Sequence, residues 1–342
     1  MLTPILRRSK TTLLFTVLIT TLLTTSCTRR EGDSGAVGPV GEVSVFTNEP
    51  RDGEVVTTFL DIFNYDLDMI GPESSYRIDL VKFDQFKVHR YVKNQVFLVN
   101  MGIDDDLART LPSFLNANGK AKLRQGKPFR HLVRDQFARG QVTLFLVGRT
   151  SNDLKTLLAD TSPELQRRSF EAAVVGGLSE TMFSLGEDKQ LPISVAQDFG
   201  WTVRLPNGFY GAKDADGRFV KFNADDPGRL LLVHWVEEVV PLELASWAPI
   251  MDRILKSYND QDYVDMSALK TYVTNFQGQR ALKWEGIWQN DKYTIGGPFR
   301  AYAFERDGRS YLLIGQVFNP GSKKLPTIRQ MDAIMNTFRA VG

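Results

Sequence analysis

The stretch AYAFERDGRSYLLIGQVF, Ala301 to Phe318, carries the clearest signal of fold in the sequence. It consists of two runs rich in apolar and aromatic residues, and the pair Asp307-Gly308 separates them. An Asp-Gly pair between two such runs is typical of the tight turn of a β-hairpin. The stretch therefore predicts two neighbouring antiparallel strands.

The segments around this hairpin predict further strands and two helices. The closing stretch PTIRQMDAIMNTF has an apolar stripe at helical spacing, formed by Ile328, Met331, Ile334, Met335 and Phe338. LASWAPIMDRILKSY predicts a second amphipathic helix that begins near Ser246. Upstream, RLLLVHWVEEVV predicts a strand, and WTVRLPNGFYGAKDADGRFVKF predicts alternating strands with turns at Pro206-Asn207-Gly208 and Asp216-Gly217.

The first half of the chain shows a comparable mixture of elements. VSVF predicts a strand, DGEVVTTFLDIF a helix, and YRIDLVKF, QVFLV and QVTLFLV three more strands. Consecutive helices follow, with Pro163 in a first turn. We therefore predict an α+β fold with two halves, each a largely antiparallel sheet with helices packed on it. The polar run at 186–191 predicts a boundary between an N-terminal domain, 42–188, and a C-terminal domain, 189–342.

The composition is that of a folded soluble protein. Apolar residues are 42% and charged residues 24% of the 342 residues, so the chain is long enough to bury cores without disulfides or metals. Residues 1–26 hold three basic residues and no acid, and removing them changes 42 basic against 40 acidic residues to 39 against 40. A nearly neutral body lacks the surplus of clustered cations that nucleic acid requires, so we predict no nucleic-acid partner.

The first 26 residues have the layout of a signal peptide. Arg7, Arg8 and Lys10 precede the mostly apolar run TTLLFTVLITTLL, and small residues follow it. As a helix this run of 13 residues would span only about 20 Å, which is short of the ~30 Å hydrocarbon core of a bilayer. The segment therefore predicts export and removal rather than a permanent transmembrane helix.

Cys27 is the single cysteine of the chain and follows the signal directly, in LTTSC. This ending resembles the lipobox of bacterial lipoproteins, in which small residues precede a cysteine that receives diacylglycerol; Thr24 stands where leucine is usual. We predict lipidation at Cys27, followed by a flexible tether over 27–41, because TRREGDSGAVGPVG is polar and rich in glycine. The alternative is an ordinary secretory signal with a free thiol.

The stretch KWEGIWQNDKYTIGGPFRAY and the following GQVFNPGSKK resemble a family known as domain of unknown function 4837, uncharacterised envelope lipoproteins mainly of Bacteroidetes and their relatives. The resemblance rests on a G-x-W strand, a GGPF turn, a V-x-x-P-G-K-K-like strand end and a closing helix. Weaker matches at HRYVKNQVFLV, RDQFARGQVTLFLVG and VRLPNGF extend it over nearly the whole mature chain. Membership implies export and lipid attachment but no activity, since none is established for the family.

The sequence contains no recognisable catalytic or metal motif. His89, His131 and His234 lack a second ligand at metal-binding spacing, and there is no G-x-S-x-G elbow or H-E-x-x-H motif. The run Asp104 to Asp106 is more typical of a loop before a helix than of a calcium site. We therefore predict no catalytic residues, no metal site and no cofactor.

A binding groove is the remaining site hypothesis. Tryptophans and glycines near the GGPF segment would line it, with a charged pair at its rim, and it would take a peptide, glycan or hydrophobic ligand. Its residues are Trp284, Glu285, Trp288, Gly296, Gly297, Phe299 and Arg300. The alternative is that the aromatic rings simply fill the core, because Leu282, Trp284 and Trp288 share one face of a strand.

These observations favour a membrane-attached binding or assembly module of the bacterial envelope over an enzyme. The expected partners are the membrane, through the lipid, and an envelope protein or small ligand. Because Thr28 is not the aspartate that retains lipoproteins in the inner membrane of some bacteria, we expect the outer membrane, with the body in the periplasm or at the surface. The alternative is an exported hydrolase, of glycans or peptides, that uses paired carboxylates.

Overall fold

The computed structural model describes residues 35–214, 218–259 and 262–341. The predicted signal peptide, Cys27 and the first part of the predicted tether lie outside the described residues. The strands of the first half are β1 (Glu42–Thr47), β2 (Asp66–Asp68), β3 (Pro72–Ser74), β4 (Arg77–Val81), β5 (Asn94–Asn100), β6 (Phe129–Arg134) and β7 (Val142–Gly148). Its helices are α1 (Glu54–Phe63), α2 (Phe86–His89), α3 (Asp106–Phe114), α4 (Ala117–Gln125), α5 (Ser151–Ala159) and α6 (Pro163–Thr181).

The first sheet has the order β4-β1-β5-β7-β6. The pairs β1–β4, β1–β5 and β5–β7 are parallel, and only β6–β7 is antiparallel. The prediction of a largely antiparallel sheet was therefore wrong for this half. Every residue of β5 and β7 is buried, because α1, α5 and α6 cover one face of the sheet and α3 the other. Continuous apolar strands are typical of parallel sheets enclosed in this way.

The second half contains the strands β8 (Glu187–Asp188), β9 (Trp201–Thr202), β10 (Leu205–Pro206), β11 (Tyr210–Asp214), β12 (Phe219–Ala224), β13 (Gly228–Val236), β14 (Asp262–Val264), β15 (Lys270–Phe276), β16 (Gln279–Asn290), β17 (Ile295–Arg306), β18 (Arg309–Phe318) and β19 (Arg339–Ala340). Its helices are α7 (Gln190–Phe199), α8 (Leu244–Asn259) and α9 (Leu325–Met335). The α+β class predicted from the sequence is confirmed.

The second sheet is antiparallel throughout, as predicted. Its order is β11-β12-β13-β18-β17-β16-β14, and β15 also pairs with β16. Asp307 and Gly308 form the turn between β17 and β18 with φ of 55° and 79°, the left-handed values that a two-residue hairpin turn requires. Apolar residues of α8 pack on one face of this sheet and those of α9 on the other.

Two paired segments of the first half lie outside its main sheet. The short strands β2 and β3 pair with each other and form a separate ribbon; we call residues 65–74 the ribbon. At the start of the described chain, Ala36 donates from its backbone N to Arg139 O (2.9 Å) and Val37 to Tyr91 O (2.8 Å). Residues from Gly35 onward are thus paired with the first half, and the prediction of a flexible tether reaching 41 needs correction there.

The buried apolar clusters follow the order of the chain. Two clusters contain residues up to Val174, and two others contain residues from Phe183 onward, together with Met69 of the ribbon. A small fifth cluster joins the halves where α6 meets α9. The domain limits near 188 stay a prediction. Within the described part of the chain, no helix is long and apolar enough to cross a membrane.

Candidate functional site

A polar cleft lies where the ribbon and α6 meet the second sheet and α9. Its cavity measures about 130 Å³, and an adjoining cavity of about 240 Å³ shares Leu67, Glu285 and Arg300 with it. Tyr65 and Leu67 of the ribbon stand on one side, and Tyr272 and Thr274 of β15 on the other. We call the first cavity the cleft.

Six charged side chains converge beneath the cleft from four elements, the strands β16 and β17 and the helices α9 and α6. Lys283 and Glu285 are two residues apart on β16 and so point to the same side of the sheet. Arg300 on β17 stands opposite Glu285 in the register. Helix α9 presents Arg329 and Asp332, which are three residues apart on one helix face. Helix α6 of the first half supplies the remaining member, Glu171. We call these six residues the charge cluster.

Glu171 connects the two halves of the chain. Its Oε2 accepts a hydrogen bond from Arg329 Nη2 at 2.7 Å and its Oε1 accepts one from Arg329 Nε at 2.9 Å. Tyr76 donates its hydroxyl to Oε2 at 2.6 Å, and Arg300 Nη1 lies 3.4 Å from Oε1. Arg329 is fully buried and also donates to the backbone oxygen of Ser75. One carboxylate of the first half therefore contacts two guanidinium groups of the second.

Asp332 completes the cluster from α9. Its side chain is buried, and it accepts hydrogen bonds from Arg300 Nη1 at 2.5 Å and from the Tyr302 hydroxyl at 2.8 Å. Lys283 Nζ lies 3.5 Å from Asp332 Oδ2 and 3.0 Å from Glu285 Oε1. Arg300 Nε in turn lies 3.2 Å from Glu285 Oε1. The cluster has three basic and three acidic side chains, so its formal charges cancel.

The pKa values of the cluster follow from this pairing. Burial opposes ionisation of Glu285, but Lys283 and Arg300 outweigh burial and lower the pKa of its carboxyl from 4.5 to about 2. Burial likewise opposes ionisation of Glu171, and the attraction of Arg329 and Arg300 holds its pKa well below the usual value. Both carboxyl groups are therefore ionised at neutral pH. Neither can donate a proton as the general acid of a hydrolase.

Two tyrosines form the open part of the cleft. Burial raises the pKa of Tyr65 and of Tyr272 to about 12, so both hydroxyls stay protonated at neutral pH. Helix α6 holds both rings in place, because the guanidinium carbon of Arg167 lies 4.2 Å from the ring centre of Tyr65 and that of Arg168 lies 3.4 Å from the ring centre of Tyr272. Cation–π contacts of this kind are attractive. The opening is thus lined by polar and aromatic groups.

The structure separates the residues of the predicted groove. Glu285 and Arg300 line the cleft and pair with each other. Trp284 and Trp288 are only 2% and 5% exposed and pack under α8 on the opposite face of the sheet. Phe299 packs in the same core cluster and reaches only the adjoining cavity. The two tryptophan rings therefore fill the core, and the prediction that they line a groove with the charged pair was wrong.

The GGPF segment is part of a strand and not the turn that the sequence predicted. Strand β17 begins at Ile295, before both glycines. A Cβ atom on Gly297 would lie 1.8 Å from the backbone oxygen of Val317, and one on Gly296 would lie 2.7 Å from that of Trp288. These glycines therefore let the backbones of neighbouring strands approach closely. They do so in extended conformation, since neither has a positive φ.

Glu171, Arg329 and Asp332 were not predicted as site residues. Arg329 and Asp332 stand beside the apolar stripe of α9, and the structure shows that this helix is buried almost all round. Charged residues that flank a stripe in a fully enclosed helix must be paired. Glu171 gave no local signal, since its two arginine partners are more than 120 residues away in the sequence. The acidic run Asp104 to Asp106 leads into α3, where Asp105 caps the helix and Asp106 is its first residue.

Comparisons with known proteins give one family. Residues 188–337 match the sequence model of the family described as Domain of unknown function (DUF4837). This segment contains five of the six residues of the charge cluster. No curated protein matches the chain.

Several solved structures show distant similarity. Cyanobacterial PsbP (CyanoP) from Synechocystis sp. PCC 6803 is 17% identical, with a TM-score of 0.29 over 41% of this chain and 86% of that chain. A crystal structure from Bacteroides thetaiotaomicron VPI-5482 is 9% identical, with a TM-score of 0.27 over 42% and 46%. The Ran-binding protein Mog1p of Saccharomyces cerevisiae is 11% identical, with a TM-score of 0.30 over 42% and 90%. Similarity at this level carries no information about function.

Proposed function

The protein belongs, through residues 188–337, to the DUF4837 family, and from that premise we propose that it is a lipid-anchored protein of the bacterial envelope that binds a ligand without catalysis. The anchor part of this proposal is supported by the N-terminal sequence. Three basic residues, an apolar run and small residues precede the single cysteine, Cys27. We propose the outer membrane as its location, with the body in the periplasm or at the cell surface.

The binding part is supported chiefly by the internal charge balance of the cleft. Each acidic side chain of the cluster lies within 3.5 Å of a basic one, and the pKa values of Glu171 and Glu285 are low. A hydrolase that uses two carboxyl groups needs one of them protonated near neutral pH. The cleft offers fixed dipoles and aromatic rings instead, which suit recognition.

The same balance indicates the class of ligand. A charged ligand would face no uncompensated opposite charge in the cluster, and its desolvation would be unfavourable. An uncharged polar molecule can instead exchange hydrogen bonds with Tyr65, Tyr272 and Asn275 and stack against the tyrosine rings. The cavity is small, about 130 Å³. We therefore propose a small neutral polar ligand, such as one unit of a neutral glycan.

Two variants on one strand test this proposal. Thr274 lines the cleft, whereas its neighbour Val273 points to the other side of β15 and is 51% exposed. We expect the full-length protein to bind neutral oligosaccharides in calorimetry, Thr274→Trp to abolish binding by filling the cavity, and Val273→Trp to leave binding unchanged. Equal binding by all three proteins, or stronger binding of anionic sugars, would contradict the proposal.

A further inference from the structure

Residues 35–37 are paired with one particular place on the body. Gly35 pairs with Arg139, and Val37 pairs with Val92. Lys93 N also donates to Val37 O at 3.0 Å. The N-terminal segment is therefore held against the turn before β7 and the segment after α2. Wherever Cys27 attaches to a membrane, the chain that joins it to the body leaves from this point.

The reach from Cys27 to this point is short. Gly35 lies eight positions after Cys27, and an extended chain of eight residue steps spans at most about 29 Å. A compact body of about 300 residues has a radius of gyration near 19 Å and hence a diameter of about 50 Å. Because the reach of the tether is shorter than the diameter of the body, the side of the body opposite Gly35 cannot turn to the membrane. The face around Gly35 must then lie next to the bilayer.

The chemistry of this face suits a lipid surface. Val88 is 82% exposed and Val37 is 57% exposed, although both are apolar. Lys87 and Arg139 are exposed beside them, and no ion pair within the described residues involves either. We call Val37, Lys87, Val88 and Arg139 the tether face.

Charges of both signs surround the tether face, because Asp84, Asp105 and Asp106 line one cavity together with Lys82, Lys87 and Arg90. Lys93, which is half-buried, adds a third cation, and burial lowers its pKa. The nearby acid Asp135 accepts a hydrogen bond from the backbone N of Gly140. Glu180, on the neighbouring end of α6, is paired with Arg134 at 2.9 Å. Exposed apolar side chains among unpaired cations are the combination that binds the surface of an anionic bilayer.

We propose that the tether face docks on the membrane, with Val88 at the level of the lipid headgroups and with Lys87 and Arg139 on anionic lipids. This inference rests on the proposed lipid anchor and goes beyond it, because it fixes which side of the body meets the bilayer. The charge cluster then has a fixed orientation relative to the membrane, because the body does not rotate freely about its tether.

Site-directed labelling of the full-length lipidated protein tests the proposal. Because Cys27 is the single cysteine and carries lipid, Val88→Cys provides one reactive thiol for a polarity-sensitive fluorophore. The protein is placed in vesicles of phosphatidylethanolamine and phosphatidylglycerol that contain a nitroxide-labelled lipid. The matched control is Ser257→Cys, an exposed position on α8 beyond the second sheet. We expect several-fold stronger quenching at position 88 than at position 257.

The labelling experiment distinguishes an error in the docking face from an error in the lipid anchor. If both probes are quenched equally, or if position 88 is not quenched although the protein is bound to the vesicles, the docking face is wrong and the anchor stands. If the chain without an added cysteine reacts with the fluorophore, Cys27 is free and the anchor itself is wrong.

A charge-reversal variant tests the role of the cations. Each cation near an anionic lipid surface strengthens the attraction by about fivefold. We expect Lys87→Glu combined with Arg139→Glu to reduce quenching at position 88 in phosphatidylglycerol vesicles while leaving thermal unfolding unchanged. In vesicles of phosphatidylcholine alone the two proteins should behave alike. Unchanged quenching in the anionic vesicles would contradict the assignment of these two residues.

Discussion

Glu171 is the side chain on which the arrangement of the charge cluster depends most. It is the one cluster member from the first half of the chain, and it pairs with both Arg329 and Arg300. A buried ion pair contributes little compared with a well-packed apolar pair, because desolvating the charges offsets their attraction. Removing one partner is different, since a charge then stays buried without its counterion. The ion pairs of Glu171 therefore add little net stability, but removing Glu171 destabilises the protein because its partners stay buried and charged.

Replacing Glu171 by glutamine should destabilise the protein strongly. Glu171→Gln leaves Arg329 buried without a full counterion, and we expect the free energy of unfolding to fall by about 3–5 kcal/mol. The control is Glu164→Gln on the same helix, which loses only an exposed pair with Arg168 and should cost at most about 0.5 kcal/mol. Urea unfolding followed by circular dichroism measures both. Equal effects of the two substitutions would refute the importance of the cluster.

Glu285 should make the protein sensitive to acid. Its pKa is about 2 in the folded protein against 4.5 as the ordinary value. A lowered pKa means that its contribution to stability is fully present above about pH 5 and is lost as the pH falls from about 4.5 to 2. We expect the urea midpoint of the wild type to fall over this range. Glu285→Gln should show a smaller fall, and an identical pH profile for both proteins would contradict the pairing.

The strands show how far the sequence specifies the elements. The Asp307-Gly308 hairpin, α1 and α9 could be predicted because a local pattern decides each of them. The parallel pairing of β5 with β7 could not be read from local alternation, although each strand contains an unbroken run of four apolar residues, 96–99 and 144–147, and such a run is itself a sign of a sheet covered on both faces. Partners such as Glu171 and Arg329, 158 residues apart, are set by tertiary packing and leave no local pattern.

Gly297 tests the close approach of β17 and β18. Gly297→Ala would place a methyl group 1.8 Å from the backbone oxygen of Val317, so the two strands must separate. We expect the free energy of unfolding to fall by about 3 kcal/mol. The matched control is Gly35→Ala, where an added Cβ meets nothing within 4 Å. Thermal unfolding compares the two, and a Gly297→Ala protein as stable as the control would show that the strands can separate freely.

At the scale of the whole molecule, the body consists of a mixed sheet and an antiparallel sheet that meet at the charge cluster. The charged residues of the chain nearly balance, and none of the described helices could span a membrane. We propose that membrane attachment comes from the N-terminal segment. Two acyl chains, each methylene worth ~0.8 kcal/mol when buried, hold a protein at a bilayer far more firmly than one chain.

Removing the proposed lipid should therefore change the location of the protein without changing its fold. We expect Cys27→Ser to move the protein from the membrane fraction to the soluble fraction of the envelope. Its thermal unfolding should match that of the mature wild type, because residues 35–341 carry the described contacts. Fractionation and immunoblotting measure the distribution. A Cys27→Ser protein that still sediments with membranes would require another means of attachment.

Mass spectrometry of the protein purified from the envelope of its own host shows whether Cys27 carries lipid. We expect a mature chain that begins at Cys27, with a diacylglycerol group in thioether linkage to its Sγ atom. A chain that keeps residues 1–26, or one that carries a free thiol at Cys27, would contradict it.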